Sequence, residues 1–264
     1  MDLEVILLIY VIILGLMVGS FLNCLIWRLY QGESILGRSY CPRCRQKINW
    51  FDNIPVLSFI ILRGRCRACQ QKIAWQYPLV ELATAGLFLL TWQKLGADQW
   101  LAFKLGQAWL LVIVAVVVFV FDSRWQLIPL QLIWPASVLA LLMSLVTGAS
   151  LITLAWSILP LAGTFLLIYL VSRKRGMGEG DIWLGLYLGL SLANWQLSLL
   201  TLFLASGLGA LGGLIWRLSL KKPRGARIAF GPFLVGGALV AWLWGELIIS
   251  QYLELLLGGS LLIF

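Results

Sequence analysis

The chain contains no histidine. No Ser-His or Cys-His nucleophile can be assembled from it, and no metal can be held by imidazole. Acid–base chemistry therefore falls to carboxylates, Lys, Tyr or Cys. Charge is also scarce. Only 12% of the 264 residues are charged and 61% are hydrophobic, which is too apolar for a water-soluble domain of this size. Just 11 residues are acidic, so each one beside an apolar run stands out. Asp2 and Glu4, rather than a basic segment, precede the first apolar stretch, which predicts a retained helix and not a cleaved signal peptide. No GxGxxG fingerprint marks a dinucleotide site. No internal repeat supports a transporter built from inverted halves.

Long apolar runs recur along the chain and predict an all-α polytopic membrane protein. Eight transmembrane helices are expected near 5–27, 77–95, 101–121, 130–147, 151–171, 182–200, 200–217 and 228–248. The sixth and seventh abut around Asn194-Trp195-Gln196, and the short apolar tail 249–264 reads as interfacial. Of the 20 Lys and Arg residues, 18 fall in alternate loops on one face of this arrangement; Lys94 and Lys104 are the exceptions. The positive-inside rule puts the basic face in the cytoplasm and both termini outside. The net charge of +9 is thus a topology signal. Because it is split among four loops, it argues against nucleic acid as a partner. Three regions follow: 1–27, a first transmembrane helix; 28–76, a small basic cytoplasmic insert; and 77–264, a transmembrane core.

Four of the five cysteines lie in the insert, as Cys41-Pro42-Arg43-Cys44 and Cys66-Arg67-Ala68-Cys69, separated by twenty-one residues. Two CxxC turns complete a tetrahedral four-thiolate zinc site, closed to substrate and therefore structural. The alternative is two disulfides, which a cytoplasmic location disfavours. Cys24, inside the first span, reads as a small buried hydrophobe.

Asp122 ends the run Val116-Val117-Val118-Phe119-Val120-Phe121, and Asp181 closes Gly176-Met177-Gly178-Glu179-Gly180-Asp181 at the start of the sixth span. Taken singly, Asp181 reads as a helix cap and Asp122 as a span-end charge paired with Arg124. Both fall at the cytoplasmic edge, however, and two neighbouring carboxylates cannot both ionise, so one serves as acid and the other as base. Other polar residues are singled out near span ends. Asn23 is a candidate for a helix–helix hydrogen bond, and Arg28 for snorkelling to headgroups. Glu81 needs a partner, expected among the basic residues of the insert. The Gly231-Pro232 step reads either as a kink or first-turn proline, or as part of the wall near the acids.

In order, Gly19-Ser20-Phe21-Leu22-Asn23, Cys41-Pro42-x-Cys44, Asp52-Asn53-Ile54-Pro55, Arg63-Gly64-x-Cys66-Arg67-x-Cys69, Tyr77-Pro78-x-x-Glu81, Asp122 with Ile128-Pro129, Gly178-x-Gly180-Asp181 and Phe230-Gly231-Pro232-Phe233 resemble the bacterial type IV prepilin peptidases. The resemblance implies an eight-span GxGD-type aspartyl protease of the inner membrane. Such enzymes remove the basic leader of type IV prepilins or pseudopilins after a glycine, on the cytoplasmic side. Most then N-methylate the new terminus from S-adenosylmethionine. Asp122 and Asp181 match the catalytic pair, and Cys41, Cys44, Cys66 and Cys69 match the zinc insert tied to methylating members. By the same resemblance, the methyl donor is expected near the insert, with Asp52, Asn53 and Glu81. Two positions depart from the pattern: Trp183 stands where Lys is common, and Leu130 where Asp is common. The competing readings are a peptidase without methylation and a non-enzymatic transporter or scaffold with a zinc docking module.

Overall fold

The computed structural model describes residues 3–95, 99–173, 177–220 and 229–257. Asp2, the basic residues Lys174, Arg175, Lys221, Lys222, Arg224 and Arg227, Gly176 and the tail from 258 lie outside the described residues. Those described are helical, with isolated β-bridges only. The chain divides into two compact units, Met1–Ala97 and Asp98–Phe264.

In the first unit, α1 (Leu3–Gln31) lies antiparallel to α3 (Gln76–Lys94). The contact is made by glycine. A Cβ on Gly15 would stand 2.6 Å from Ala85 Cα, and one on Gly19 would stand 2.7 Å from Glu81 Cα. Small residues four apart let the two backbones touch where hydrophobic burial gives helices in lipid no preference for each other. Gly15→Ala and Gly19→Ala are each expected to cost about 1–3 kcal/mol of overpacking, read as a fall in apparent Tm in detergent. Gly86→Ala, which meets open space, is the neutral control. Near the same end of the hairpin, Asn23 Nδ2 donates to Tyr77 O at 3.0 Å, the interhelical hydrogen bond expected of it.

Between α1 and α3 lies the cysteine insert, holding a 3-10 turn (Trp50–Asn53) and a five-residue helix α2 (Leu57–Ile61). Arg28 does not snorkel outward. It is buried and donates to the carbonyls of Ser34, Ile35 and Arg38, so its guanidinium organises the loop leaving α1. On the insert's surface, Arg67 grips Asp52 at 2.7 Å and also lies over the Phe51 ring. That guanidinium holds the Asp52 carboxyl below its usual range. The pair's support is full above the ordinary Asp value of 3.8 and is lost as pH falls through the lower folded value.

The second unit is built from α4 (Leu101–Trp125), α5 (Leu130–Val146), α6 (Leu151–Ile158), α7 (Thr164–Val171), α8 (Glu179–Leu192), α9 (Trp195–Leu220) and α10 (Gly231–Leu257). The run from Val112 to Phe121 is mostly β-branched, yet it is helical, because a spanning segment must satisfy its own backbone. α6 and α7 form one rod joined by a π turn at Leu159–Gly163, where Pro160 removes a backbone donor. α8 runs through the middle of the unit and packs on α5, α6 and the π turn. Gly189 allows this, since a Cβ there would stand 2.7 Å from Ile158 Cα. Deeper along α8, Gln107 of α4 donates to Ser144 Oγ of α5 and to Ser191 O of α8, and Ser144 donates to Leu190 O.

Five stretches among the described residues are long and apolar enough to cross a bilayer: Glu4–Gln31, Leu101–Trp125, Leu151–Val171, Trp195–Ile215 and Gly231–Leu256. The other three expected spans are α3, which is more polar, and α5 and α8, with 17 and 14 residues. Two boundaries need correction. The sixth and seventh segments part at Ala193-Asn194, beside the junction expected around Asn194-Trp195-Gln196 but short of the span limit set at 200. Ala193 is left-handed with φ 48°, and Asn194 Oδ1 accepts from Gln196 N at 2.8 Å, ending one helix and capping the next. Residues 249–257 are not a separate interfacial tail but the end of α10.

Candidate active site

Asp122 occupies the last turn of α4, whose end is closed by the left-handed Gln126 donating to Asp122 O at 2.8 Å. The side chain is buried. Arg124 is not its partner; that guanidinium lies over Trp125. Instead Asp122 Oδ2 accepts the backbone N–H of Gly231 at 2.8 Å, at the first turn of α10. The carboxylate thus takes one of the donors that a helix N-terminus leaves free, from a helix 109 residues away in sequence. A Cβ on Gly231 would stand 2.6 Å from Asp122 Oδ2 and 3.2 Å from Val118 Cγ1. The Gly231-Pro232 step is therefore part of the wall around the acid, with Pro232 in the first helical turn, where a missing N–H costs nothing.

Asp181 is the third residue of α8, after Gly178 at the N-cap. Its carboxyl lies against the N-cap glycine, where a Cβ on Gly178 would stand 3.6 Å from Asp181 Oδ2. A Cβ on Gly180 would stand 2.9 Å from Ile128 Cβ, so α8 begins close against the segment that precedes α5. Gly231 thus lies against the Asp122 carboxyl, Gly178 against that of Asp181, and Gly180 against Ile128.

Gly231→Ala is expected to displace the Asp122 carboxyl and lower kcat/KM on a leader peptide by about 10²-fold, since a shift near 1 Å at the reacting group has that scale. Gly236→Ala, on the same helix but facing open space, should leave the rate within twofold of wild type; that bound is an order-of-magnitude expectation for a substitution touching nothing.

Two residues beyond Asp181, Trp183 meets Trp134 of α5 with ring centroids 5.2 Å apart and planes inclined at 49°. An aromatic ledge therefore replaces the common Lys. Leu130, where Asp is common, is the first residue of α5. The Tyr169 hydroxyl donates to Glu179, which keeps an exposed carboxylate two residues from Asp181.

The four cysteine sulfurs of the first unit lie within 4.8 Å of one another, with Cys41 Sγ to Cys69 Sγ at 3.9 Å, and none is in a disulfide. A tetrahedron of thiolates about 2.3 Å from a zinc ion has an edge of about 3.8 Å, so the donors fit that metal. The two knuckles are copies. Cys41-Pro-Arg-Cys-Arg-Gln-Lys-Ile48 recurs as Cys66-Arg-Ala-Cys-Gln-Gln-Lys-Ile73. In the first, Cys41 N donates to Gln46 O at 2.9 Å; in the second, Cys66 N donates to Gln71 O at 2.9 Å. The residue after each CxxC, Arg45 or Gln70, is left-handed with φ 57° or 56°. Burial raises the Cys41 thiol, but the Cys44 and Arg43 backbone N–H groups and the neighbouring thiols outweigh it and hold it at about 7. At Cys69 the Gln71 N–H lowers the thiol, while burial and the other three sulfurs push it up to about 11. The four sulfurs thus compete for negative charge, which a dication would relieve.

Asp52 and Glu81, expected with Asn53 near the methyl donor, each have a partner within the first unit. Asp52 is paired with Arg67, and Glu81 accepts the Val56 N–H at 2.7 Å. The expected basic partner of Glu81 is replaced by this neutral donor.

Fold and site together define a polytopic helical membrane protein with one acid in the last turn of α4, another in the first turn of α8, and a four-thiol module. The chain belongs to the type IV leader peptidase family: that family's profile matches residues 109–214, and the bacterial peptidase A24 N-terminal domain matches residues 13–95. A protein of Pseudomonas aeruginosa named prepilin leader peptidase/N-methyltransferase is 33% identical over 92% of each chain. One of the same name from Legionella pneumophila is 32% identical over 90% of this chain and 92% of its own. Another, from Klebsiella pneumoniae, is 37% identical over 73% of this chain and 87% of its own. No solved structure matches.

Proposed function

We propose that this protein is a prepilin leader peptidase and N-methyltransferase, with Asp122 and Asp181 as its catalytic pair. The observation that carries the assignment is the placement of the two acids: Asp122, buried in the last turn of α4 against the Gly231 N–H, and Asp181, in the first turn of α8. In a chain without histidine, such a pair is a complete acid–base apparatus. One carboxylate takes a proton from water, which attacks the scissile carbonyl. The other, protonated, hydrogen-bonds that carbonyl and then gives its proton to the leaving amine. The proton belongs to the pair as a unit. Gly231 holds Asp122 by one oxygen and so fixes the direction in which the other faces.

The substrate is a type IV prepilin or pseudopilin whose apolar helix lies in the membrane. Its basic leader remains in the cytoplasm, next to the exposed Glu179. The basic loops support an inner-membrane location with eight passes and the site on the cytoplasmic side. Zinc, bound by Cys41, Cys44, Cys66 and Cys69, is structural and keeps the insert folded. S-adenosylmethionine supplies the methyl group, and the region expected to receive it is the insert with Asp52, Asn53 and Glu81. A transporter reading places its acids near the bilayer midplane. Here both occupy terminal turns of their helices, which favours cleavage at the membrane boundary.

The test is a mass-resolved assay of purified protein with a prepilin-like peptide carrying a basic leader, a Gly-Phe junction and an apolar helix. Loss of the leader, followed by a methyl mass when S-adenosylmethionine is added, is expected. Intact substrate after several pilin sequences have been tried with folded, zinc-loaded protein would reject the peptidase. Inhibition of methylation but not cleavage by S-adenosylhomocysteine would support separate sites.

A further inference from the structure

We infer that α2 and its flanking residues anchor the four-cysteine insert to an anionic lipid leaflet. This surface is distinct from the proposed peptidase chemistry and does not rest on it. α2 reads Leu-Ser-Phe-Ile-Ile and contains no buried residue, which a water-exposed module would not retain without a partner. Leu57, Ile60 and Ile61 share one face by their i, i+3, i+4 spacing and are all exposed, Ile60 and Ile61 by 64% and 63%. The 3-10 turn packed beside α2 adds Trp50, which is 78% exposed.

The occupant is argued from depth and from charge. Phe59, on the other side of α2, covers Gly64 and stacks on Trp75 with centroids 5.0 Å apart. Trp75 immediately precedes α3, which lies along the spanning helix α1 through Gly15 and Gly19. A Trp at the mouth of such a helix sits at headgroup level, and the contact with Phe59 brings α2 to that level. A second link fixes the entry to α2. Val56 is the centre of a γ-turn with φ 60° and ψ −48°, in which Leu57 N–H donates to Pro55 O. This conformation is strained for a β-branched residue. It is held by Glu81 of α3, which accepts the Val56 N–H. The membrane helix itself therefore sets the height of α2. Exposed Arg63 and Arg65 follow α2 directly, and residues 28–72 carry nine basic against two acidic residues. Apolar side chains flanked by cations match a leaflet with anionic headgroups.

The test places the photocrosslinker p-benzoylphenylalanine at Ile60, Ile61 or the knuckle position Gln46 of the full chain. The protein is held in nanodiscs of mixed phosphatidylethanolamine and phosphatidylglycerol, and zinc content is matched among variants. Phospholipid adducts at Ile60 and Ile61 are expected to exceed those at Gln46 by about tenfold, the contrast between buried and solvated apolar positions. Crosslinks to protein instead, whether within the chain or to a second copy, would overturn the proposal. So would lipid adducts no greater than at Gln46. Combining Arg63→Gln and Arg65→Gln should cut the phosphatidylglycerol share of the adducts on the order of tenfold. An unchanged share would reject an anionic leaflet as the partner.

Discussion

Asp122→Asn and Asp181→Asn are each expected to lower kcat for leader removal by about 10³-fold or more, with little change in substrate binding or zinc content. The magnitude follows from the role. A positioned acid or base contributes 10²–10⁴ to a rate, and here each residue supplies one half of a pair that has no substitute. Asn keeps the shape and the hydrogen-bonding capacity of Asp. At position 122 it still offers an oxygen to the Gly231 N–H, so α10 stays capped and the fold is preserved. What Asn cannot do is exchange a proton. The two substitutions should also be far from additive, because either alone removes the shared proton path. The double variant is therefore expected to be no slower than the worse single one by more than about threefold. A single Asn variant retaining wild-type cleavage would remove that residue from the catalytic pair. Equal loss of methylation on a pre-cleaved pilin would instead place the same carboxyls in both activities.

The sequence disclosed the helices because lipid imposes a simple rule on them, and the run from Val112 to Phe121 obeys it despite its poor intrinsic helix propensity. It also disclosed the acids, since a carboxyl at the edge of an apolar run is rare. What it hid was long-range or conformational. Nothing in the local pattern tells that Gly231, 109 residues downstream, will donate to Asp122. The junction near Asn194 was legible, but its exact residue was not. Alanine seldom adopts a left-handed conformation, so no glycine announces the end of α8. Arg28 and Glu81 were expected to seek charges or headgroups, and both have uncharged partners, Arg28 in backbone carbonyls and Glu81 in the Val56 N–H. The two CxxC turns were legible, though not the longer repeat they belong to. Cys-x-x-Cys-x-Gln-Lys-Ile stands twice in the chain, and the structure shows why: each copy needs the same left-handed residue and the same return hydrogen bond to close its turn.

Removing the metal should unfold the insert while leaving the carboxylate pair in place. Neither the Trp50–Asn53 turn nor α2 buries a residue, and of the module's apolar side chains Cys41 is buried chiefly among the other sulfurs. A segment of this size without a hydrophobic core depends on a staple. Four thiolates around zinc supply one, with an apparent binding free energy on the order of 10 kcal/mol in comparable small modules. Stripped of it, the thiols regain protons unevenly, and the two knuckles lose the point that joins them. The nine basic residues between Arg28 and Lys72 make the change easy to read, because trypsin has many sites there. Chelation, or Cys44→Ser, is expected to raise the rate of tryptic cutting in this segment by at least about 10²-fold, since digestion follows the population of the open form. Methylation should fall with it. Cleavage by Asp122 and Asp181 should persist, as the pair is built wholly from α4, α8 and α10. One zinc per chain is expected in the untreated protein. A metal-free protein with the same resistance to trypsin would show that the cysteines hold the insert by another means.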